Sequence, residues 1–134
     1  MKNRTSELRI GVIGAAGRMG MAIIRCATRI PGIRLAAALE ATGHAALGQD
    51  AGELAGVGPL GVRITDKHDV IPLADVLIDF TFHGAAPANA ELAQRFDKPI
   101  VIGTTGLTPA EADAVRAAAT RIPIVWAPNM SLGV

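Results

Sequence analysis

Short apolar runs alternate with segments of helical periodicity along the chain. Runs of this length are typical of buried strands, whereas apolar residues spaced three and four apart indicate one face of a helix. The predicted strands are residues 8–13, 34–39, 62–64, 76–80, 100–102 and 122–126.

The first helix is predicted over residues 18–30, where Pro31 and Gly32 end the pattern. Its apolar face at helical spacing comprises Met19, Ile23, Cys26, Ala27 and Ile30. On this face Cys26 is expected to be a small buried hydrophobic residue rather than a nucleophile.

Later helices have start or stop signals of their own. Residues 108–111 combine a threonine N-cap, a proline in the first turn and a capping-box glutamate, which predicts a helix to about residue 120. Another is predicted over residues 87–96, and a short one capped by Thr65 or Asp66 is ended by Pro72. The glycine-rich residues 41–61 are predicted to be mostly loop, with a helical turn near residues 51–54.

This alternation predicts an α/β fold of the Rossmann type, with a doubly wound, mostly parallel sheet and right-handed crossovers. The 134 residues fit one domain. An apolar fraction of 50% also fits a sheet covered on both faces, because its strands are apolar throughout.

Composition argues against several functions. Thirteen basic and 12 acidic residues nearly cancel, and aromatic residues make up 3%, so nucleic acid is a poor partner. No apolar stretch approaches the roughly 20 residues that span a bilayer. The single cysteine excludes an intramolecular disulfide, and a reducing, cytoplasmic setting is expected. The three histidines, His44, His68 and His83, are expected at the surface.

Three glycines, Gly14, Gly17 and Gly20, lie between the first strand and the first helix. Glycine permits a tight turn and lets a pyrophosphate approach the backbone N–H groups, while the helix N-terminus faces the anion. The spacing is GxxGxxG rather than GxGxxG, and an ordinary turn with close helix packing is the alternative. The position between strand and helix favours dinucleotide binding.

Glu40 follows the second strand, 20 residues beyond Gly20. An acid at this place typically binds the ribose hydroxyls of a dinucleotide, which we favour over a solvated loop residue. Arg18 lies either over the phosphates or in solvent, and the sequence does not separate the two.

Further polar groups follow later strands, at residues 79–81, 103–106 and 127–131. Ligands collect at the carboxyl ends of such strands, although each segment could also be a turn or cap. Thr104, Thr105 and Asn129 could offer hydroxyl and amide groups to a nicotinamide carboxamide.

An ordered set of motifs resembles the 4-hydroxy-tetrahydrodipicolinate reductase family over almost the whole chain. The motifs are residues 14–20 (Gly-Ala-Ala-Gly-Arg-Met-Gly), 37–40 (Ala-Ala-Leu-Glu), 50–55 (Asp-Ala-Gly-Glu-Leu-Ala), 79–81 (Asp-Phe-Thr), 103–106 (Gly-Thr-Thr-Gly) and 129–134 (Asn-Met-Ser-Leu-Gly-Val). The resemblance implies a cytoplasmic, typically tetrameric enzyme that reduces a small cyclic dicarboxylate with NADH or NADPH on the diaminopimelate route to lysine.

Carried over residue by residue, the resemblance implies these cofactor contacts: Gly14, Ala15, Ala16, Gly17, Arg18, Met19, Glu40, Gly103, Thr104, Thr105, Ala127, Pro128, Asn129 and Met130. Some relatives place an arginine after the acid and another after the Asp-Phe-Thr motif, where they can meet a 2′-phosphate. Here Ala41 and Phe82 occupy those positions, so NADH is expected to be favoured over NADPH.

The resemblance also implies a second domain that this chain does not include. Residues 1–130 are expected to form the nucleotide-binding domain, and residues 131–134 the start of a hinge to a substrate and tetramerisation domain. No catalytic residue is expected within the chain, and alone it is expected to bind nucleotide weakly without turnover. The alternatives are a non-catalytic nucleotide-sensing module and the first domain of another amino-acid dehydrogenase.

Overall fold

The structure, a computed structural model, describes residues 7–126. Within them, six strands form one parallel sheet in the order β3-β2-β1-β4-β5-β6. The strands are β1 (Leu8–Ile13), β2 (Ile33–Leu39), β3 (Ile64–Thr65), β4 (Val76–Asp79), β5 (Ile100–Ile102) and β6 (Ile124–Trp126). Every neighbouring pair is parallel, and the order is that of dinucleotide-binding folds. The predicted doubly wound Rossmann-type sheet is confirmed.

Helices connect the strands and cover both faces of the sheet. They are α1 (Arg18–Ala27), α2 (Ala51–Ala55), α3 (Ala86–Arg95) and α4 (Pro109–Ala118), with 3₁₀ helices at His68–Leu73 and His83–Ala85. Within the described part of the chain, no helix has the length and apolar character needed to cross a membrane.

Two hydrophobic clusters explain why the strands are apolar throughout. In the first, Ile10 and Val12 of β1 pack with Ile24 of α1 and with the buried alanines of α2. In the second, Leu77 of β4 and the isoleucines of β5 pack with residues of α3 and Val115 of α4. Because each face of the sheet meets a pair of helices, neither side of a central strand faces water.

The buried face of α1 differs from the prediction. Gly20, Ile24 and Ala27 are the buried residues of the helix, whereas Met19 and Cys26 are exposed. The prediction of a buried Cys26 was therefore wrong. The close approach of Gly20 to the preceding loop turns the helix so that the 20-24-27 stripe faces the sheet. The helix also ends three residues earlier than predicted, with Thr28 as C-cap.

The segment before β4 also departs from its prediction. Thr65 belongs to β3, where it pairs with Leu39, and so cannot cap a helix. The 3₁₀ helix His68–Leu73 instead has Lys67 as its N-cap and contains Pro72 rather than ending at it. The loop before β3 holds only α2, capped by Asp50, as the glycine-rich composition indicated.

A salt bridge joins the amino ends of β1 and β4. The guanidinium of Arg9 donates to both carboxylate oxygens of Asp75, with an Nη2–Oδ1 distance of 2.9 Å, and the backbone N–H of Arg9 donates to Oδ2 at 2.8 Å. The side-chain hydrogen bond from Arg9 is the main cause that lowers the pKa of Asp75 to about 2.

This pKa predicts how stability changes in acid. The pKa is lower in the folded protein than in the unfolded chain, so the bridge contributes fully above about pH 4 and its contribution is lost as the pH falls towards about 2. Asp75→Asn is expected to lower the urea midpoint near neutral pH and to flatten its decline across this window. Asp113→Asn, which removes an exposed i,i+3 partner of Arg116, is the control and should change neither. An equally steep acid decline in Asp75→Asn would contradict the assignment.

Candidate functional site

A cleft of about 680 Å³ opens at the carboxyl ends of β1, β2 and β4. The chain leaves β1 towards β2 on one side and later enters β4 on the other, so β1 lies where the strand order reverses. Crevices at this point of parallel α/β sheets are the usual place for ligands. Among the predicted site residues, those that line the cleft are Gly14, Gly17, Arg18, Met19 and Glu40.

Two of the three loop glycines are required by the backbone itself. Gly14 has a φ of +82°, and a Cβ there would lie 2.8 Å from the Cγ2 atom of Thr81. A Cβ on Gly20 would overlap the carbonyl oxygen of Gly14. The loop and the first turn of α1 therefore pack closer than any side chain allows.

The second glycine, Gly17, is the N-cap of α1, and this helix start has no side-chain cap. By contrast, Asp50 caps α2 and Thr108 caps α4 with a full capping box, whereas α3, like α1, begins without a side-chain cap. The first N–H groups of α1 belong to Arg18, Met19 and Gly20, all of which line the cleft. An uncapped helix N-terminus at a cleft suits an anion.

Glu40 lines the cleft beside this turn and contacts the glycine loop directly. Its Oε2 accepts a hydrogen bond from the N–H of Ala16 at 2.9 Å, and its Oε1 accepts one from the N–H of Ala41 at 3.1 Å. Each oxygen keeps a lone pair for a further donor. Ala15, another predicted cofactor contact, is fully buried and donates its N–H to the Leu39 carbonyl, so its side chain belongs to the core.

A buried polar network supports the wall of the cleft beside Gly14. Asp79 is completely buried, and its Oδ1 accepts hydrogen bonds from the N–H and hydroxyl of Thr81 at 2.8 and 2.6 Å. Its Oδ2 accepts one from the side-chain amide of Asn89 on α3 at 3.0 Å. The same amide lies 3.2 Å from the Thr81 hydroxyl. Asn89 lines the cleft, yet the sequence offered only a polar residue among alanines as a signal.

The loop after β5 is attached to this network. The Thr104 hydroxyl donates to the Thr81 carbonyl at 2.8 Å, and the N–H of Gly103 donates to the Asp79 carbonyl. A Cβ on Gly103 would overlap the ring of Phe80, which explains the glycine. Among the described residues, Gly103, Thr104 and Thr105 lie outside the lining of the cleft.

The assignment of that loop to the cofactor thus remains a prediction. Ala127, Pro128, Asn129 and Met130 fall outside the residues that the structure describes.

Ala41 and Phe82, the two positions on which the expected cofactor preference rests, both line the cleft. Ala41 is exposed, and the Phe82 side chain is 71% exposed at the mouth. Next to it, the Nδ1 atom of His83 lies 2.8 Å from Glu111 of the α4 capping box, which joins the loops after β4 and β5. The backbone N–H of Thr108 and this histidine both lower the pKa of Glu111.

A second hollow, of about 730 Å³, lies beside α2 and includes Asp50 and Arg63. The Asp50 carboxylate accepts four backbone N–H groups there, and the Arg63 guanidinium donates to the Gly48 carbonyl. The carboxylate of Asp50 and the guanidinium of Arg63 are thus used to fold the loop.

Comparison with known proteins identifies what the chain is similar to. The family model described as dihydrodipicolinate reductase, N-terminus, matches residues 8–130. The 4-hydroxy-tetrahydrodipicolinate reductase of Anaeromyxobacter sp. (strain Fw109-5) is 52% identical over 124 residues, covering 92% of this chain and 46% of the relative. That of Syntrophotalea carbinolica is 48% identical over 128 residues, covering 95% and 48%. The chain spans about half the length of these relatives.

Solved structures agree on the fold. A dipicolinate-bound dihydrodipicolinate reductase from Paenisporosarcina sp. TG-14 superposes with a TM-score of 0.71 at 21% identity, covering 95% of this chain and 49% of that one. An amine dehydrogenase from Mycobacterium smegmatis gives 0.67 at 19% identity, covering 90% and 38%. At these identities the likeness supports the fold alone.

Proposed function

The chain belongs to the dihydrodipicolinate reductase family, as its N-terminal domain, and on that premise we propose that it binds a nicotinamide dinucleotide in the cleft at Gly14. The whole protein would reduce 4-hydroxy-tetrahydrodipicolinate to tetrahydrodipicolinate in lysine and diaminopimelate biosynthesis. The observation that carries the proposal is the uncapped start of α1 facing the fixed carboxylate of Glu40.

The residues present fit the cofactor. The N–H groups of Arg18 and Met19 would bind the pyrophosphate, and the glycines leave the space that a Cβ would fill. Glu40 would accept the ribose hydroxyls. When bound, the dinucleotide supplies a hydride from its nicotinamide ring, and the share of this chain is to hold and orient it.

The wider proposal concerns the rest of the protein. Residues 1–130 would form the nucleotide-binding domain, and residues 131–134, outside the described part, would begin a hinge to a domain that binds the cyclic dicarboxylate and forms a homotetramer. The coverage of about half of each relative supports this division. A cytoplasmic location is part of the same proposal and rests on the family resemblance.

Glu40 provides the direct test of ribose binding. In the protein expressed from its complete gene, Glu40→Ala is expected to raise the Kd for NADH by about 10- to 100-fold, because a charge-assisted hydrogen bond contributes about 1.5–3 kcal/mol. Isothermal titration with NADH and with ADP-ribose should give the same loss, since both carry the adenosine ribose.

The matched control is Glu53→Gln, which changes an exposed glutamate of α2 and should leave both constants unchanged. The Kd of Glu40→Gln for NADH should lie between those of wild type and Glu40→Ala, because glutamine keeps one acceptor oxygen without the charge. Wild-type affinity in Glu40→Ala would show that the ribose is bound elsewhere.

The cofactor preference is a second expected result. Ala41 and Phe82 line the cleft and carry no charge, and among the described lining residues the one arginine is Arg18 at the glycine loop. We therefore expect NADH to bind more tightly than NADPH, by about tenfold or more, when both are titrated at one ionic strength. Tighter binding of NADPH would contradict this expectation.

A further inference from the structure

The end of the cleft at Glu40 contains a second carboxylate, that of Asp66. Strand β3 pairs with β2 so that Thr65 lies opposite Leu39, and the N–H of Glu40 donates to the Thr65 carbonyl at 3.0 Å. Glu40 and Asp66 are the residues that directly follow this pair. Parallel strands end at the same edge, so both acids emerge side by side, and both line the cleft.

The salt bridges of the protein leave the negative charge of the Asp66 carboxylate unpaired within the described residues. Within residues 7–126, none of the salt bridges involves Asp66 or Glu40. Among the described residues, His68 lines the same cleft but forms no salt bridge with either acid. Lys67 is exposed and lies outside the lining, and Arg18 belongs to the glycine loop. This end of the cleft therefore holds two carboxylates, those of Glu40 and Asp66, without a salt-bridge partner among the described residues.

We propose that Asp66 is a specificity-determining residue, whose carboxylate disfavours a dinucleotide with a phosphate on the adenosine ribose. The inference rests on the proposed function, because it presumes that Glu40 holds that ribose. NADH presents neutral hydroxyls there, whereas NADPH presents a phosphate of nearly two negative charges. Asp66 should therefore act on NADPH and leave NADH almost unaffected.

The neutral, equally sized variant Asp66→Asn isolates the charge. In the protein from the complete gene, at about pH 8 and low salt, its Kd for NADPH is expected to fall by about threefold to tenfold while that for NADH changes less than about twofold. The gain should shrink in about 0.5 M salt, because exposed charges are screened. Asp66→Ser, a smaller neutral residue, should give the same direction.

Asp69→Asn is the matched control, since Asp69 is an exposed acid three residues on, in the 3₁₀ helix and outside the cleft lining. It should leave the NADPH to NADH ratio at the wild-type value. An unchanged ratio in both Asp66 variants, or an equal change in both constants, would overturn the inference while leaving dinucleotide binding intact. A wild-type protein that binds neither cofactor would instead overturn the proposed function, and the inference with it.

Discussion

Gly17→Asp is expected to weaken NADH binding by about 100-fold or more without unfolding the protein. Gly17 is the N-cap of α1, with φ −77° and ψ 167°, a conformation that aspartate adopts readily. The new carboxylate would accept the N–H groups that the pyrophosphate needs and would repel the phosphates. Because aspartate is a good N-cap, thermal stability should be maintained while affinity is lost.

Gly17→Ala separates charge from bulk. A Cβ at this position lies 3.3 Å from the Gly14 carbonyl oxygen, a contact that a small shift relieves, so only a severalfold loss of affinity is expected. Titration calorimetry and thermal melts of both variants give the comparison. If Gly17→Asp bound NADH as tightly as wild type, the helix N-terminus could not be the pyrophosphate site.

Asp79→Ala is expected to destabilise the protein by about 3 kcal/mol or more. Asp79 is fully buried, and its removal leaves the N–H and hydroxyl of Thr81 without their acceptor and the amide of Asn89 with only the Thr81 hydroxyl. Urea unfolding near neutral pH measures the loss. Asp113→Ala, at an exposed carboxylate, should stay within about 0.5 kcal/mol of wild type.

A paired exchange tests the network more finely. In Asp79→Asn, the new amide oxygen can still accept the hydrogen bonds from Thr81. The new NH₂ group, however, would face the NH₂ group of Asn89, and neither can accept from the other. Adding Asn89→Asp restores a donor–acceptor pair and is expected to recover part of the lost stability. A small effect of Asp79→Ala, or no recovery in the double variant, would contradict the role of this network in holding Thr81.

The fold was predictable because strands that are buried on both faces of a sheet are apolar throughout. Such apolar runs, alternating with helical periodicity, can be recognised in a single sequence. The boundaries were less accurate where tertiary contacts decide. Thr65 was predicted as a possible helix cap, yet it forms a strand because β2 offers it a partner. The buried face of α1 differs from the predicted one because the contact of Gly20 with the Gly14 loop, rather than apolar content, orients the helix.

The candidate site divides in the same way. That Gly14, Gly17 and Glu40 line one cleft was predictable, because a glycine turn and an acid after the second strand have a fixed spacing along one βαβ unit. Asn89 and Asp66 were not, since each reaches the cleft from a distant segment through the sheet order. Neither residue belongs to a motif that the sequence alone distinguishes from a solvated polar position.

The most direct test of cofactor binding at the start of α1 is the structure of crystals of the complete protein soaked with NADH. The two phosphates are expected to lie against the N–H groups of Arg18 and Met19, with the adenosine ribose hydroxyls on the carboxylate of Glu40. A dinucleotide bound with its phosphates away from the start of α1, while the Glu40 carboxylate remains only on Ala16 and Ala41, would contradict it.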